Sequence, residues 1–245
     1  MFVLDIVTLF PSMFVGPLEA GVLGRARRSG KVAIRIHDLR RWGLGRQRQV
    51  DDTPYGGGGG MILRPEPLFA AVDWIRSRHP ARGRRVVLLS PQGTPLDHSG
   101  ARRLAGHEGL ILLCGRYEGV DERVREGLAD EELSIGDVVL TGGELPAMMV
   151  ADAVSRFVPG VLGRSGAADE ESFADGLLES PYYTRPAEYR GLRVPEPLLS
   201  GDHGAIARWR EDRSRATTRA KRPDLLERDR SAKRTESARR GGEGR

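Results

Sequence analysis

Cysteine is all but absent: Cys114 is the only one in 245 residues. A single thiol excludes an intramolecular disulfide framework and fits a reducing compartment. Cys114 also lies inside the apolar run Ile111-Leu112-Leu113-Cys114 with no base beside it, so it reads as a buried, inert thiol. No apolar stretch is long enough to cross a bilayer, and Met1 leads straight into the strand-like Phe2-Val3-Leu4-Asp5-Ile6-Val7 without a signal segment. The expectation is a soluble, cytoplasmic protein.

Signatures of metal and nucleotide chemistry are missing too. His37, His79, His98, His107 and His203 are scattered without ligand spacing, which argues against zinc. The absence of GxxxxGK[ST] argues against a P-loop NTPase, and no GxGxxG follows the first strand, which argues against an ordinary dinucleotide fold. The five glycines Gly56–Gly60 are no substitute, because they follow Asp51-Asp52-Thr53-Pro54-Tyr55 in a loop.

Charge is present but uneven. The chain carries 39 basic and 34 acidic residues, a net +5. Between Ala207 and Arg245 there are 14 basic and 7 acidic residues, so Met1–Ile206 is left at a net −2. A near-neutral body with a basic C-terminal segment points to a polyanionic partner, nucleic acid first among them, or to a solvated tail that aids solubility.

Strand-like and helix-like segments alternate over the first two thirds. Phe2–Leu9, Val32–His37, Arg85–Leu89, Leu110–Cys114 and Leu133–Ile135 read as strands. Leu18–Arg28, Pro65–Arg78, Asp121–Leu128 and Glu144–Phe157 read as helices, with Leu68, Val72 and Ile75 on one face of the second and Pro65 in its first turn. Asp97 or Ser99 caps a short helix through Leu104. Such alternation implies an α/β fold, a mostly parallel sheet with helices on both faces. From Pro159 to about Asp175 the periodicity disappears, as in a mobile linker. Beyond it, Asp202–Arg219 reads as a helix with Ile206 and Trp209 on its apolar side, Pro223 opens another, and the residues after Arg228 have almost nothing to bury.

The most informative stretch is Ile111–Pro146. Its apolar run stops at Gly115 and opens into Arg116-Tyr117-Glu118-Gly119. A second extended piece breaks at Ile135-Gly136-Asp137, and a third, Val138-Val139-Leu140, breaks at Thr141-Gly142-Gly143. Glycine at strand ends lets main-chain groups approach a ligand closely, so a small-molecule site is expected here.

These residues also carry a resemblance. LSPQG at 89–93, LLCGRYEGVDERV at 112–124, SIGDVVLTGGELPAM at 134–148 and DAVSRFVPGVLG at 152–163 resemble the bacterial tRNA (guanine-N1)-methyltransferases of TrmD type. So do PYGGGGGM at 54–61, YTRP at 183–186 and LLSGDH at 198–203, in order, from about Met1 to Leu226. The resemblance implies a SPOUT-class enzyme with a trefoil knot, working as a homodimer on tRNA with S-adenosylmethionine, and also a dependence on Mg2+. It implies a methyltransferase domain at residues 1–162, a linker at 163–178 and a helical tRNA-binding domain at 179–228; the basic tail at 229–245 falls outside it and reads as disordered from its composition.

By the same resemblance the donor lies against Pro91, Gly115, Glu118, Ile135, Gly136, Asp137, Val138, Val139 and Leu140, with Gly142, Gly143 and Pro146 shaping the wall. Backbone opened by glycine offers an adenine edge fixed donors and acceptors, and apolar walls suit its faces. The family's arginine in DAVSR corresponds to Arg156, and its base, an aspartate before Ser-Phe, is here Glu171, with Asp169 as the rival. Arg156 also has a plain alternative, an exposed helical pair with Asp152. For RNA the expected contacts are Gly58 and Gly59 in the glycine loop, Ser172, and the cations Arg185, Arg208, Arg215, Lys221 and Arg222. Tyr117 and Tyr183 either stack on a splayed base or pack. Two other readings remain, a SPOUT methyltransferase for another RNA position and an RNA-binding module without turnover.

Overall fold

In the computed structural model, which describes residues 1–78, 83–164 and 166–227, every residue of the first strand, β1 (Phe2–Thr8), is buried. Only a strand covered on both faces can be so throughout. The chain order after it is α1 (Gly21–Arg28), β2 (Val32–Asp38), the short pair β3 (Asp51–Asp52) and β4 (Ile62–Leu63), α2 (Pro65–Arg78), β5 (Arg84–Pro95) and α3 (His98–Ala105). Then come β6 (Gly109–Cys114), α4 (Glu122–Gly127), β7 (Glu131–Ser134) and α5 (Glu144–Ser155). The main sheet has the order β2-β1-β6-β5-β7, and every pairing in it is parallel.

Two cores follow from the alternation of side chains along the strands. Leu4 and Ile6 of β1, Val87 and Leu89 of β5, and Leu110 and Leu112 of β6 join Leu23, Leu104, Val150 and Val154 of α1, α3 and α5 on one face. Val7, Val86, Leu88, Ile111 and Leu113 meet Leu68, Val72 and Ile75 of α2 and Val124 of α4 on the other. Asp97 caps α3, accepting from the Gly100 N–H at 2.7 Å, while the Ser99 hydroxyl donates to Asp97. Asp121 likewise caps α4.

Three expectations need correction. The first helix starts at Gly21, since Pro17–Glu19 forms a 3-10 turn of its own. β5 runs past Leu89: its register shifts between Leu89 and Thr94, and Thr94 and Pro95 return to pair with Leu133 and Ser134 of β7. At Gly93 a Cβ would lie 2.5 Å from the main chain of Glu132, so only glycine permits that return. Val138-Val139-Leu140 is not a strand, because no neighbouring strand pairs with it. Its β-branched residues point to a strand in sequence, yet all three are exposed.

Contacts divide the chain into two compact units, the second beginning at Gly166. The second holds a 3-10 turn at Ala167–Asp169, a hairpin of β8 (Glu188–Tyr189) and β9 (Leu192–Arg193), a short α6 (Glu196–Leu199) and the long α7 (His203–Lys221). Asp202 caps α7 by accepting from Gly204 and Ala205, and residues 223–227 are helical, as Pro223 suggests. Leu178 is pinned to α7 twice: its N–H donates to Thr218 Oγ1 at 2.9 Å, and its carbonyl accepts from Ser214 Oγ at 2.6 Å. His79, Arg228 and the expected tail at 229–245 lie outside the described residues.

Candidate functional site

The carboxyl ends of β5, β6 and β7 meet at a cleft of about 260 Å³ in the first unit. Open parallel sheets place ligands at such strand ends. Ten of the twelve residues expected around a donor line it: Pro91, Gly115, Glu118, Ile135, Val138, Val139, Leu140, Gly142, Gly143 and Pro146. Gly136 and Asp137 do not line it; Gly136 turns the chain at φ +130°, between Ile135 and Val138 which do. The Ser134 hydroxyl holds that turn, donating to the Gly136 carbonyl at 3.0 Å.

Close approach shapes the floor. The Gly143 N–H donates to the Gly115 carbonyl at 2.9 Å, and Arg116 and Gly142 form a bridge of the antiparallel kind. A Cβ on Gly143 would sit 2.6 Å from Cys114 Cα, main chain that cannot move aside. These glycines therefore let the loop after β7 lie directly on the end of β6. Cys114 is fully enclosed behind them, and burial, then the nearby Glu144 carboxylate, pushes its thiol pKa well up, against a smaller opposing effect of Arg116. The thiol is thus neutral and a poor nucleophile, as the sequence suggests.

A buried ionic group that sequence reasoning missed braces the same floor. Glu144, 1% exposed, accepts from the Thr8 hydroxyl at 2.8 Å and from Arg116 Nε at 3.1 Å. The Arg116 guanidinium in turn stacks on Phe10, 4.3 Å from its ring centre. The ends of β1 and β6 and the first turn of α5 are thereby tied together. An acidic residue directly after Gly142-Gly143 is the one signal the sequence offers, and it reads there only as a helix start.

The glycine loop abuts the cleft. The Glu118 N–H donates to the Met61 carbonyl at 3.1 Å, and a Cβ on Gly60 would meet Glu118 Cγ at 2.5 Å. Gly58 and Gly59 are exposed, Gly58 at φ +119°. Tyr117 lines the cleft in a left-handed conformation, φ +60°, which is costly for a tyrosine. Burial and a hydrogen bond to Asp51 raise its hydroxyl pKa.

The other expected residues lie apart in sequence. Arg156 closes α5. In the second unit Asp169 ends the 3-10 turn, Glu171 is half-buried, and Ser172 and Glu179 hold each other by reciprocal bonds to main-chain N–H groups at 2.8 and 3.1 Å. Arg208, Arg215 and Lys221 are exposed on α7, where Arg215 pairs with Glu211 at 3.0 Å. Arg222 pairs with Asp224 at 2.7 Å, so its guanidinium is already engaged. Arg185 is exposed on the segment before β8. Among the described residues no group of three or more His, Cys, Asp or Glu is placed to hold a metal ion, and no helix is long and apolar enough to cross a membrane.

Comparison with known proteins adds to this geometry. The family described as tRNA (Guanine-1)-methyltransferase TrmD matches residues 2–228. A protein of Geobacter sulfurreducens named tRNA (guanine-N(1)-)-methyltransferase is 55% identical over 222 residues, covering 91% of this chain and 90% of its own. One of the same name from Desulforudis audaxviator is 55% identical over 225 residues, covering 92% and 90%. Another from Geotalea uraniireducens is 54% identical over 222 residues, covering 91% and 89%.

Proposed function

The chain belongs to the tRNA (guanine-1)-methyltransferase family of TrmD type, and from that premise we propose that it methylates N1 of guanosine-37 in tRNA, beside the anticodon. The observation that carries the reading is the glycine-floored cleft at the ends of β5, β6 and β7, built from the segments that carry the family resemblance.

The residues present fit S-adenosylmethionine. Ile135, Val138, Val139, Leu140 and Pro146 offer apolar walls to a flat base, and Gly115, Gly142 and Gly143 open main chain at its edge. A side chain on Gly143 would collide with the Cys114 main chain at 2.6 Å, so glycine is what lets this wall form. Glu118 supplies a negative charge toward a ligand that carries an ammonium and a sulfonium. When bound, that group supplies an electrophilic methyl. The family reading also implies Mg2+, for which no group of three or more His, Cys, Asp or Glu is placed among the described residues.

The chain's own residues carry the rest. N1 of guanine bears a proton and is a poor nucleophile until the proton leaves. Glu171 is the general base that takes it, a carboxylate on a longer arm than the aspartate its family uses. Charge then spreads onto O6, where the Arg156 guanidinium stabilises it. Asp169 is the rival base should the loop shift register. Gly58, Gly59, Ser172, Arg185, Arg208, Arg215 and Lys221 engage the RNA, which makes binding steeply salt-dependent. The reading includes a SPOUT-type knot within residues 1–162, a linker at 163–178, a tRNA-binding domain at 179–228 and a cytoplasmic homodimer whose linker serves the partner's site. The apolar side chains left exposed on α5, Leu145 and Met149, support an association between copies.

The test is incubation of the protein with labelled S-adenosylmethionine and unmodified tRNA, followed by mapping of the methylated nucleotide. Label on N1 of guanosine-37 is expected. Label at another position would favour a different SPOUT specificity, and donor binding without transfer would favour an RNA-binding module.

A further inference from the structure

The second unit holds a cavity of about 340 Å³, of whose lining the reading above uses only Arg185. Its floor is aliphatic, from Val194, Leu198 and Ile206, and its rim carries Tyr182, Tyr183, Arg185, Leu199 and Arg210. Tyr182 is 71% exposed and Leu199 59% exposed, so the rim presents apolar surface to water beside two guanidinium groups. A cavity of this size lies in the range that takes small ligands, about 300–1,000 Å³.

The Glu179 carboxylate beside its hydroxyl, and then burial, raise the Tyr182 pKa. Tyr183 lies against Trp209, with ring centres 6.3 Å apart at 60°, and Arg213 covers Trp209 at 5.8 Å. Aromatic faces over an apolar floor suit a flat ring. The surroundings specify its charge: α7 carries six basic residues against two acidic ones. A nucleotide brings a flat base for those faces and a phosphate for the guanidinium groups of Arg185 and Arg210. Aromatic stacking combined with basic surroundings is how unpaired bases are held.

We propose that this cavity seats one unstacked nucleobase of the tRNA, with Tyr182 against its face and Arg185 and Arg210 meeting the phosphates on either side. The inference rests on tRNA being the substrate and adds a second, separate base-binding site to it.

The test uses full-length protein and unmodified tRNA transcripts, each lacking the base of one unpaired nucleotide, with affinity read by fluorescence titration. Stacking of one base is worth roughly a five- to hundredfold change in affinity. Tyr182→Ala is expected to weaken intact tRNA about tenfold, within that range. One abasic transcript should weaken the wild type equally, and the two losses should not add. Leu199→Trp, which fills the cavity from its exposed rim, should give the same loss, while S-adenosylmethionine affinity stays unchanged for both variants. Wild-type affinity in both variants, or losses that add for every abasic transcript, would overturn the proposal. If the wild type binds no tRNA at all, the functional reading fails and takes this site with it. Tight tRNA binding with uncoupled losses removes the cavity alone.

Discussion

The two units are stabilised by different means. In the first, both faces of a parallel sheet are covered, and even the ionic residues Asp5 and Glu144 are buried with partners. Asp5 accepts from Arg84 at 2.6 Å and lies 2.8 Å from His37 Nε2. In the second, the buried residues among those described are Ala168, Ser180, Thr218 and Leu225. Its long helix α7 buries only Thr218. With so little apolar area to remove from water, polar pins such as Leu178 to Thr218 weigh heavily, and most aromatic and cationic groups remain at the surface. A packed sheet can hold a small rigid cleft; a thinly buried helix leaves its chemistry free for a large polyanion.

Four substitutions probe that contrast. The largest effect is expected at the proposed chemistry: Glu171→Gln should lower turnover by about 10²–10⁴-fold, the usual worth of a general base, with donor binding retained. Single-turnover kinetics with saturating tRNA would check this, and wild-type turnover would remove Glu171 from the mechanism. Next comes Glu144→Ala in the first unit. It strands the Arg116 guanidinium in a mostly buried place and should cost about 3–5 kcal/mol in urea unfolding, as breaking a buried pair does.

How much of this was legible in the sequence divides along the same line. The strands and helices of the first unit follow from apolar period, because Leu68, Val72 and Ile75 recur at helical spacing and all are buried. The cleft's glycines were legible as a set, because several breaks at successive strand ends in one stretch leave main chain open there. The tie between Thr8, Arg116 and Glu144 was not, since it joins residues 136 and 28 positions apart and depends on which strands are neighbours. Val138-Val139-Leu140 misled for a related reason: β-branched residues favour a strand only where a partner strand exists. In the second unit α7 was visible from Asp202, Ile206 and Trp209. The cavity beside it was not, because α7 gives it only Ile206 and Arg210 and the rest of its wall comes from two short segments with no period of their own.

The smaller effects sharpen the second unit. Thr218→Val keeps the volume but removes the acceptor for the part-buried Leu178 N–H, and about 1–3 kcal/mol of that unit's stability should go with it. Hydrogen exchange at Leu178 and across α7 would report it, with the first unit unchanged. Smaller still, Asp202→Ala removes the cap of α7 and should cost about 0.5–2 kcal/mol, visible as faster exchange in its first turn.

The central claim is that donor binding belongs to the first unit and RNA binding chiefly to the second. Parallel titrations of S-adenosylmethionine and tRNA test it most directly, on Gly143→Ala and on a variant with Arg208, Arg215 and Lys221 all changed to Ala. The account predicts that Gly143→Ala weakens the donor by roughly tenfold or more, as an added methyl in a packed site would, and leaves tRNA affinity intact. The triple variant should do the reverse and flatten the salt dependence of tRNA binding. Donor affinity that survives Gly143→Ala, or both affinities falling together in either variant, would contradict it.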